Sequence, residues 1–231
     1  MKVYSISDLH LSINSNKPMD IFGPVWENYL EDIEKSWNEL VTDDDLVLIA
    51  GDISWAMRFE DAIPDLNYIA SLKGHKIIIR GNHDYWWKGI SNLRADLPPK
   101  VYALQNDAMK IGNVVVCGSR GWVVPEVEHK TPEDEKIYNR EAIRLELSLK
   151  SAQHLREEGD KVICMMHYPP FNSNLEDSVY TTLMEQYGVD YAVYGHLHNY
   201  DKKQKLVVDK NGIKYYLTSC DLVKNKLIEI I

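Results

Sequence analysis

The segment 76–84, KIIIRGNHD, joins an apolar run to a glycine and a group of polar side chains. The run 76–79 predicts a buried strand, because a strand that is covered on both faces reads as a short continuous apolar stretch. Gly81 allows the backbone to turn sharply where this strand ends. Three polar residues follow the turn directly: Asn82, His83 and Asp84.

Four other apolar runs end in the same way. Strands predicted at 2–6, 46–50, 162–166 and 191–194 lead into SDLH, GDIS, HYPP and GHLH. In an open α/β sheet, ligands bind at the carboxyl ends of the strands. Five strands that point in one direction would bring all five clusters to one edge. The pattern therefore predicts one site built from five segments.

The rest of the chain predicts an α/β (α+β) fold in which strands alternate with helices. Helical spacing of apolar residues predicts helices at 24–40, 60–72, 132–158 and 178–187, and further strands are predicted at 101–104 and 114–117. The segment 205–231 predicts antiparallel strands with a hairpin turn at Asn211-Gly212. Repeats and linker-like stretches are absent from the sequence, so we expect a single domain over 1–231.

Composition narrows the class of protein. The chain has 231 residues, of which 45% are hydrophobic, and this is enough for a packed core. The net charge of −9 and the lack of a Lys/Arg cluster argue against a nucleic-acid partner. The first residues do not resemble a signal peptide, and no apolar stretch approaches the roughly 20 residues of a membrane span. The sequence makes no prediction of the oligomeric state.

The three cysteines are odd in number and widely spaced. Cys117, Cys164 and Cys220 lie in apolar stretches, which predicts buried free thiols rather than disulfides or a zinc knot. Free thiols are typical of a reducing compartment, so we expect a cytoplasmic protein.

The polar clusters contain the side chains that bind transition metals. Carboxylate, amide and imidazole ligands suit Mn, Fe, Zn, Ni or Co, whereas the absence of thiolates argues against copper(I) and iron–sulfur centres. Asp8 and His10, like His196 and His198, are two residues apart and therefore lie on the same side of a strand end. Taken alone, Asp8 or Asp52 would be interpreted as a turn or helix cap, which is the usual role of a single aspartate at a strand end. The full set is too large for one tetrahedral ion and fits two ions that share a ligand: Asp8, His10, Asp52, Asn82, His167, His196 and His198.

The order of these motifs resembles that of the calcineurin-like metallophosphoesterases. The family pattern D-x-H, G-D, G-N-H-D, H and G-H-x-H stands here as Asp8-Leu9-His10, Gly51-Asp52, Gly81-Asn82-His83-Asp84, His167 and Gly195-His196-Leu197-His198. The motifs extend from residue 8 to residue 198, so the resemblance covers most of the chain. It implies a four-layer α/β/β/α sandwich, with helices outside two mostly β layers.

The resemblance also implies a role for each motif position. Asp8, His10 and His198 would hold one divalent metal ion. Asn82, His167 and His196 would hold a second, and Asp52 would bridge the two ions, with Mn or Fe favoured. His83 would lie over the substrate as the proton donor, oriented by Asp84.

A two-metal centre of this kind predicts hydrolysis of a small phosphomonoester or phosphodiester. A hydroxide held between the ions would attack phosphorus, because a bound metal lowers the pKa of water from 15.7 to roughly 7. His83 would donate a proton to the leaving oxygen. The alternatives are a non-catalytic metal-binding scaffold on the same fold and a hydrolase that acts on a non-phosphate bond.

Three residues near the motifs are candidates for substrate binding. The Trp55 ring could stack on an aromatic part of the substrate, although core packing explains most tryptophans. Arg58 or Arg120 could hold a second phosphate with two parallel hydrogen bonds.

Overall fold

Two β-sheets pack face to face in a computed structural model of the chain, which describes residues 1–15, 17–128, 131–199 and 205–231. The first sheet contains, in spatial order, β11 (Ile228–Glu229), β1 (Val3–Ser5), β2 (Leu46–Ile49), β3 (His75–Ile78) and β4 (Val101–Ala103). The second sheet contains β5 (Ala108–Ile111), β6 (Val114–Ser119), β7 (Lys161–Met166), β8 (Tyr191–Tyr194), β10 (Ile213–Leu217) and β9 (Val207–Lys210).

Helices cover the outer face of each sheet. The helices are α1 (Tyr29–Leu40), α2 (Phe59–Ser71), α3 (Ile90–Asp96), α4 (Pro132–Leu155) and α5 (Val179–Gln186). The first three pack on the first sheet, and α4 and α5 pack on the second. The predicted four-layer α/β/β/α sandwich is therefore confirmed. In the part of the chain that is described, no helix is both long and apolar enough to cross a membrane.

The strand β2 shows why these segments read as continuous apolar runs. Leu46 and Leu48 pack between the two sheets, against Val116 and Ile163 of the second sheet. Val47 and the other alternate positions pack outward against the helices. Because both faces are buried, each strand of the central layers needs apolar side chains at successive positions.

The parallel pairing of the central strands determines where the polar clusters lie. In the first sheet β1, β2 and β3 are parallel neighbours, and in the second sheet β7 and β8 are parallel neighbours. The five clusters therefore follow carboxyl ends of strands, as predicted. They come from two facing sheets rather than from one open sheet, which closes the site from two sides.

Several predicted elements differ from the structure. The helix predicted at 24–40 is a short 3₁₀ turn, Pro24–Trp26, followed by α1, because Asn28 adopts a left-handed backbone conformation (φ 54°) between them. The Asn211-Gly212 turn and the antiparallel pair β9–β10 are confirmed. The prediction that the rest of 205–231 forms antiparallel strands beside this hairpin is wrong. β10 runs parallel to β8, and β11 pairs with β1 in the first sheet. The sequence analysis missed α3 and β5.

Two further buried features bear on stability. All three cysteines are buried free thiols, as predicted. Lys76 is a completely buried residue of β3, and its Nζ donates hydrogen bonds to the carbonyls of Leu72 (2.6 Å), Gly74 (2.9 Å) and Ala70 (3.3 Å), at and just beyond the end of α2. Burial lowers the pKa of Lys76 to about 8. Its ammonium group thus satisfies one carbonyl of the last turn of α2 and two of the segment that joins α2 to β3.

Candidate metal centre

The side chains that follow β3, β7 and β8 converge on one amide oxygen. Asn82 Oδ1 lies 2.6 Å from His167 Nε2 and 2.9 Å from His196 Nδ1. Three residues that are far apart in the sequence therefore direct ligand atoms at one point, as the motif order predicted.

A second group of ligand atoms lies at the ends of β1 and β8. His10 Nε2 is 3.4 Å from His198 Nε2, and Asp8 Oδ1 is 3.8 Å from His198 Nε2. The ligand atoms of Asp8, His10 and His198 all lie within 4.8 Å of one another, which is close enough for one ion to contact all three. These are the three residues predicted to act together.

Asp52 lies between the two groups. Its Oδ2 is 3.9 Å from His10 Nε2, and its Oδ1 is 3.5 Å from His167 Nε2. The two oxygens of one carboxylate thus face one histidine from each group. Asp52 also joins Asp8 and His167 in a further set of atoms that could hold an ion.

Two motif glycines are required by the close approach of the carboxylates. A Cβ atom on Gly81 would overlap the Oδ1 atom of Asp52, and one on Gly195 would overlap the Oδ2 atom of Asp8. The absence of a side chain at these two positions lets one strand end lie directly against the next.

The backbone is strained at several of the candidate ligands. Asp8, His10, Asp52 and His196 have φ angles of 58°, 46°, 51° and 71°, in the left-handed region that residues other than glycine rarely adopt. Each such conformation costs on the order of 1–3 kcal/mol and persists only where the surrounding structure enforces it. The concentration of these conformations at one edge is typical of a functional site.

The charges of the site are those of a cation-binding site. Asp8 and Asp52 are 0% and 1% exposed, and burial raises the pKa of both carboxyls. Burial lowers the pKa of His10 to about 2 and the pKa values of His167 and His196 to about 3, so these imidazoles are neutral. Neutral nitrogens and buried carboxylates that face one another suit divalent cations, which offset the negative charge.

His198 has a partner that the sequence analysis missed. Its Nδ1 lies 3.0 Å from Asp221 Oδ1, and the backbone N–H of Asn199 donates to Asp221 Oδ2 at 3.2 Å. Burial opposes protonation of the imidazole, but the hydrogen bond to Asp221 and the charge of Asp8 raise the pKa of His198 overall. Asp221 follows β10 just as the predicted ligands follow their strands, and that pattern could have revealed it.

The two predicted catalytic residues occupy different positions. The His83 ring is half-buried and lies 5.6 Å from the ring of His10, while its backbone N–H donates to Asp52 Oδ1 at 2.8 Å. The Asp84 carboxylate is fully buried and accepts four hydrogen bonds, from the backbone N–H groups of Gly81, Ile53 and Ser54 and from the Trp86 indole. Burial raises the pKa of Asp84 to about 6. These four contacts hold the loop that carries His83, so its predicted orienting role would act through the backbone.

Aromatic rings surround the candidate ligands. The predicted Trp55 stacks on His10, with 4.7 Å between ring centroids, and lies at the same distance from His83. Two further rings were missed by the sequence analysis. Trp26 lies 6.1 Å from His10, and Tyr168 lies 4.1 Å from His196.

The two predicted arginines differ in their surroundings. Arg58 lies at the start of α2 with an exposed side chain, and its guanidinium pairs with Asp61 at 3.0 Å and 3.2 Å. These contacts lend no support to the predicted role of Arg58 in substrate binding. Arg120 lies beside the site, where its carbonyl accepts hydrogen bonds from the backbone N–H groups of His167 (3.2 Å) and Tyr168 (3.0 Å).

Comparisons with known proteins identify the family of the chain. The model of the calcineurin-like phosphoesterase family matches residues 1–200, a range that contains every predicted metal ligand. The solved structure of TT1561 from Thermus thermophilus is similar over 98% of this chain and 96% of its own, with a TM-score of 0.60 and 13% identity.

A protein of unknown function from Aquifex aeolicus, AQ665, is similar over 99% of this chain and 95% of its own, with a TM-score of 0.51 and 14% identity. Both structures support the shared fold. No curated protein matches the sequence. Because the family model spans most of the chain and every predicted metal ligand, this protein belongs to the calcineurin-like phosphoesterase family and is a hydrolase of phosphoric esters.

Proposed function

We propose that the protein hydrolyses a small phosphomonoester or phosphodiester at a centre of two divalent metal ions. The observation that carries this proposal is the position of Asp52, whose two carboxylate oxygens face one histidine from each of two ligand groups. A carboxylate in this position can serve two ions at once.

The ligand groups divide between the two ions as the family resemblance implies. Asp8, His10 and His198 would hold the first ion, which the 3.4 Å and 3.8 Å separations of their ligand atoms support. Asn82, His167 and His196 would hold the second, which is supported by the contacts of both imidazoles with Asn82 Oδ1. The donor set accepts Mn, Fe, Zn, Ni or Co, and we favour Mn or Fe.

The two ions would supply a water of lowered pKa and would offset the charge of the phosphate oxygens. The chain itself supplies the fixed geometry around the reacting phosphorus. His83 is positioned by its backbone hydrogen bond to Asp52 and by the neighbouring ring of Trp55. We assign it the donation of a proton from its imidazole to the leaving oxygen of the ester. Asp84 positions His83 through the loop that both residues share.

The overall charge supports a small substrate. A net charge of −9 disfavours a long nucleic-acid backbone, whereas two bound cations attract a single phosphate group locally. Trp55 borders the first ligand group and, being only partly buried, offers apolar surface to the rest of the substrate.

The test is a comparison of two aryl phosphates on the manganese-loaded protein. We expect hydrolysis of 4-nitrophenyl phosphate, bis(4-nitrophenyl) phosphate or both, with loss of activity in Asp52→Asn. This variant keeps the size of the side chain and removes its charge, so metal content and activity should fall together. Full metal content in the wild type without hydrolysis of either ester would contradict the proposal and favour the non-catalytic scaffold.

A further inference from the structure

A buried glutamate on α4 is surrounded by three arginines. Glu141 is 1% exposed, and all three guanidinium groups face its Oε1 atom. Arg144 Nη1 lies at 2.7 Å, Arg140 Nε at 3.6 Å and Arg120 Nη2 at 3.8 Å. One carboxylate balances one guanidinium, so this cluster carries two positive charges in excess.

Neutralisation of Glu141 does not explain the position of Arg120. Arg144 alone makes a hydrogen-bonded ion pair with this carboxylate, whereas Arg120 stays beyond hydrogen-bond distance. The Nε atom of Arg120 is buried and has no hydrogen-bond partner among the described residues. Buried polar groups in folded proteins are nearly always paired, so the Arg120 guanidinium is short of an acceptor. Its side chain is 21% exposed, so a ligand can approach it.

The cluster adjoins the candidate metal centre. The Arg120 guanidinium lies 5.2 Å from the ring of Trp122, whose ring is 5.1 Å from that of Tyr168. Tyr168 in turn contacts the ring of His196 at 4.1 Å. Together with the hydrogen bond from His167 N–H to the Arg120 carbonyl, these contacts place the excess charge beside the second ligand group.

A groove on the surface of α4 continues from this cluster. Its volume is about 670 Å³, and Arg140 and Arg144 lie in its wall. Lys136 adds a positive charge, Glu135 a negative one, and the exposed side chain of Ile143 offers apolar surface. The groove therefore offers charged and apolar surface to the part of a ligand that lies beyond Arg140 and Arg144.

We propose that Arg120, Arg140 and Arg144 form a second anion subsite, which binds a phosphate group of the substrate other than the one that is hydrolysed. The planar guanidinium matches phosphate with two parallel hydrogen bonds, and three of them converge here. The substrate class is then a small molecule with at least two phosphate groups. This inference rests on the proposed function, since it assigns the scissile phosphate to the metal centre.

Calorimetric titration of the manganese-loaded full chain tests the subsite, because it measures binding affinity rather than catalytic activity. The probes are fructose 6-phosphate against fructose 1,6-bisphosphate, and AMP against ADP, which differ in the spacing of the second phosphate. We expect the bisphosphorylated probe of at least one pair to bind about 10- to 100-fold more tightly, which corresponds to one charge-assisted hydrogen bond. This preference should fall at least tenfold in Arg144→Gln and in Arg140→Gln. Lys150→Gln, which removes a positive charge elsewhere on α4, should retain it.

Glu141→Gln separates a subsite from a merely structural cluster. Removal of the competing carboxylate should strengthen the preference for the second phosphate, whereas three arginines that serve only to neutralise Glu141 would give a less stable protein without that gain. Equal affinity for mono- and bisphosphorylated probes in the wild type, or an unchanged preference in both arginine variants, would overturn the subsite. A clear preference in a protein that hydrolyses no aryl phosphate would instead overturn the proposed function and support the subsite.

Discussion

Replacement of Asp221 by asparagine is expected to weaken one metal position and to leave the other nearly intact. Asp221 contacts His198 of the first ligand group, and none of its described hydrogen bonds reaches Asn82, His167 or His196. A carboxylate that accepts the second N–H of a ligand histidine fixes the orientation of the ring and raises its basicity. The asparagine keeps the size of the side chain and removes its charge.

The size of the effect follows from the two contacts that Asp221 makes. Its oxygens accept from His198 Nδ1 at 3.0 Å and from the backbone N–H of Asn199 at 3.2 Å. An asparagine at this position would offer one oxygen for these two donors, so one charge-assisted bond is lost, at about 1.5–3 kcal/mol. At about 1.4 kcal/mol per tenfold, this predicts a loss of about 10- to 100-fold in affinity for one of two manganese ions.

The dependence on pH provides a second readout. An ion must displace the proton of His198, so its affinity for the first group falls as the pH drops through the raised pKa of this histidine. In Asp221→Asn the pKa of His198 falls, because the carboxylate that stabilises the protonated imidazole is gone while burial still destabilises it. The affinity of the variant should therefore decline only at lower pH, and the wild-type and variant curves should converge on acidification.

Competition with a metal chelator at several pH values measures both effects. Asp209→Asn, which removes an exposed carboxylate on β9, is the control and should bind both ions as the wild type does. Equal weakening of both ions in Asp221→Asn, or no weakening of either, would refute the assignment of Asp221 to the first ligand group.

Three other substitutions test separate parts of the structure. His83→Ala should retain both metal ions and lose rate, most strongly for esters with poor leaving groups; a metal-free variant would contradict its role as proton donor. Gly81→Ala should lose metal and stability together, since its methyl group would overlap the Oδ1 atom of Asp52; normal metal content would show that the loop can move aside. Lys76→Met should lower the free energy of unfolding in urea by about 1–3 kcal/mol, because the carbonyls of Leu72 and Gly74 lose their donor. An unchanged free energy of unfolding would argue that the cost of burying the ammonium cancels the gain from these bonds.

The candidate ligand positions could be located in the sequence because each of them follows an apolar strand. Asn82 follows β3 of the first sheet and His167 follows β7 of the second, and the packing of the two sheets brings these side chains into contact. The pattern of an apolar strand followed by polar residues was therefore sufficient to find both. The division of the predicted helix 24–40 at Asn28 was not predictable, since no glycine or internal proline marks the position where the backbone turns left-handed.

Proximity in the sequence was a poor guide to contacts outside the ligands. Asp84 follows His83 directly, yet its carboxylate turns beneath the loop because four hydrogen-bond donors surround it there. Arg58 lies close to Trp55 in the chain, but the start of α2 directs it toward Asp61. Asp221 lies outside every recognised motif, and only its position after the strand β10 marks it in the sequence.

We infer that two metal ions share Asp52 and act together on a phosphate ester. A manganese titration of the metal-free chain, followed by electron paramagnetic resonance and by hydrolysis of 4-nitrophenyl phosphate in the same samples, tests it most directly. We predict two bound ions per chain, a spin-coupled signal that develops with the second equivalent, and activity that rises with that signal, with the coupling lost in Asp52→Asn. A single bound ion, or two uncoupled ions in a fully active protein, would contradict the account.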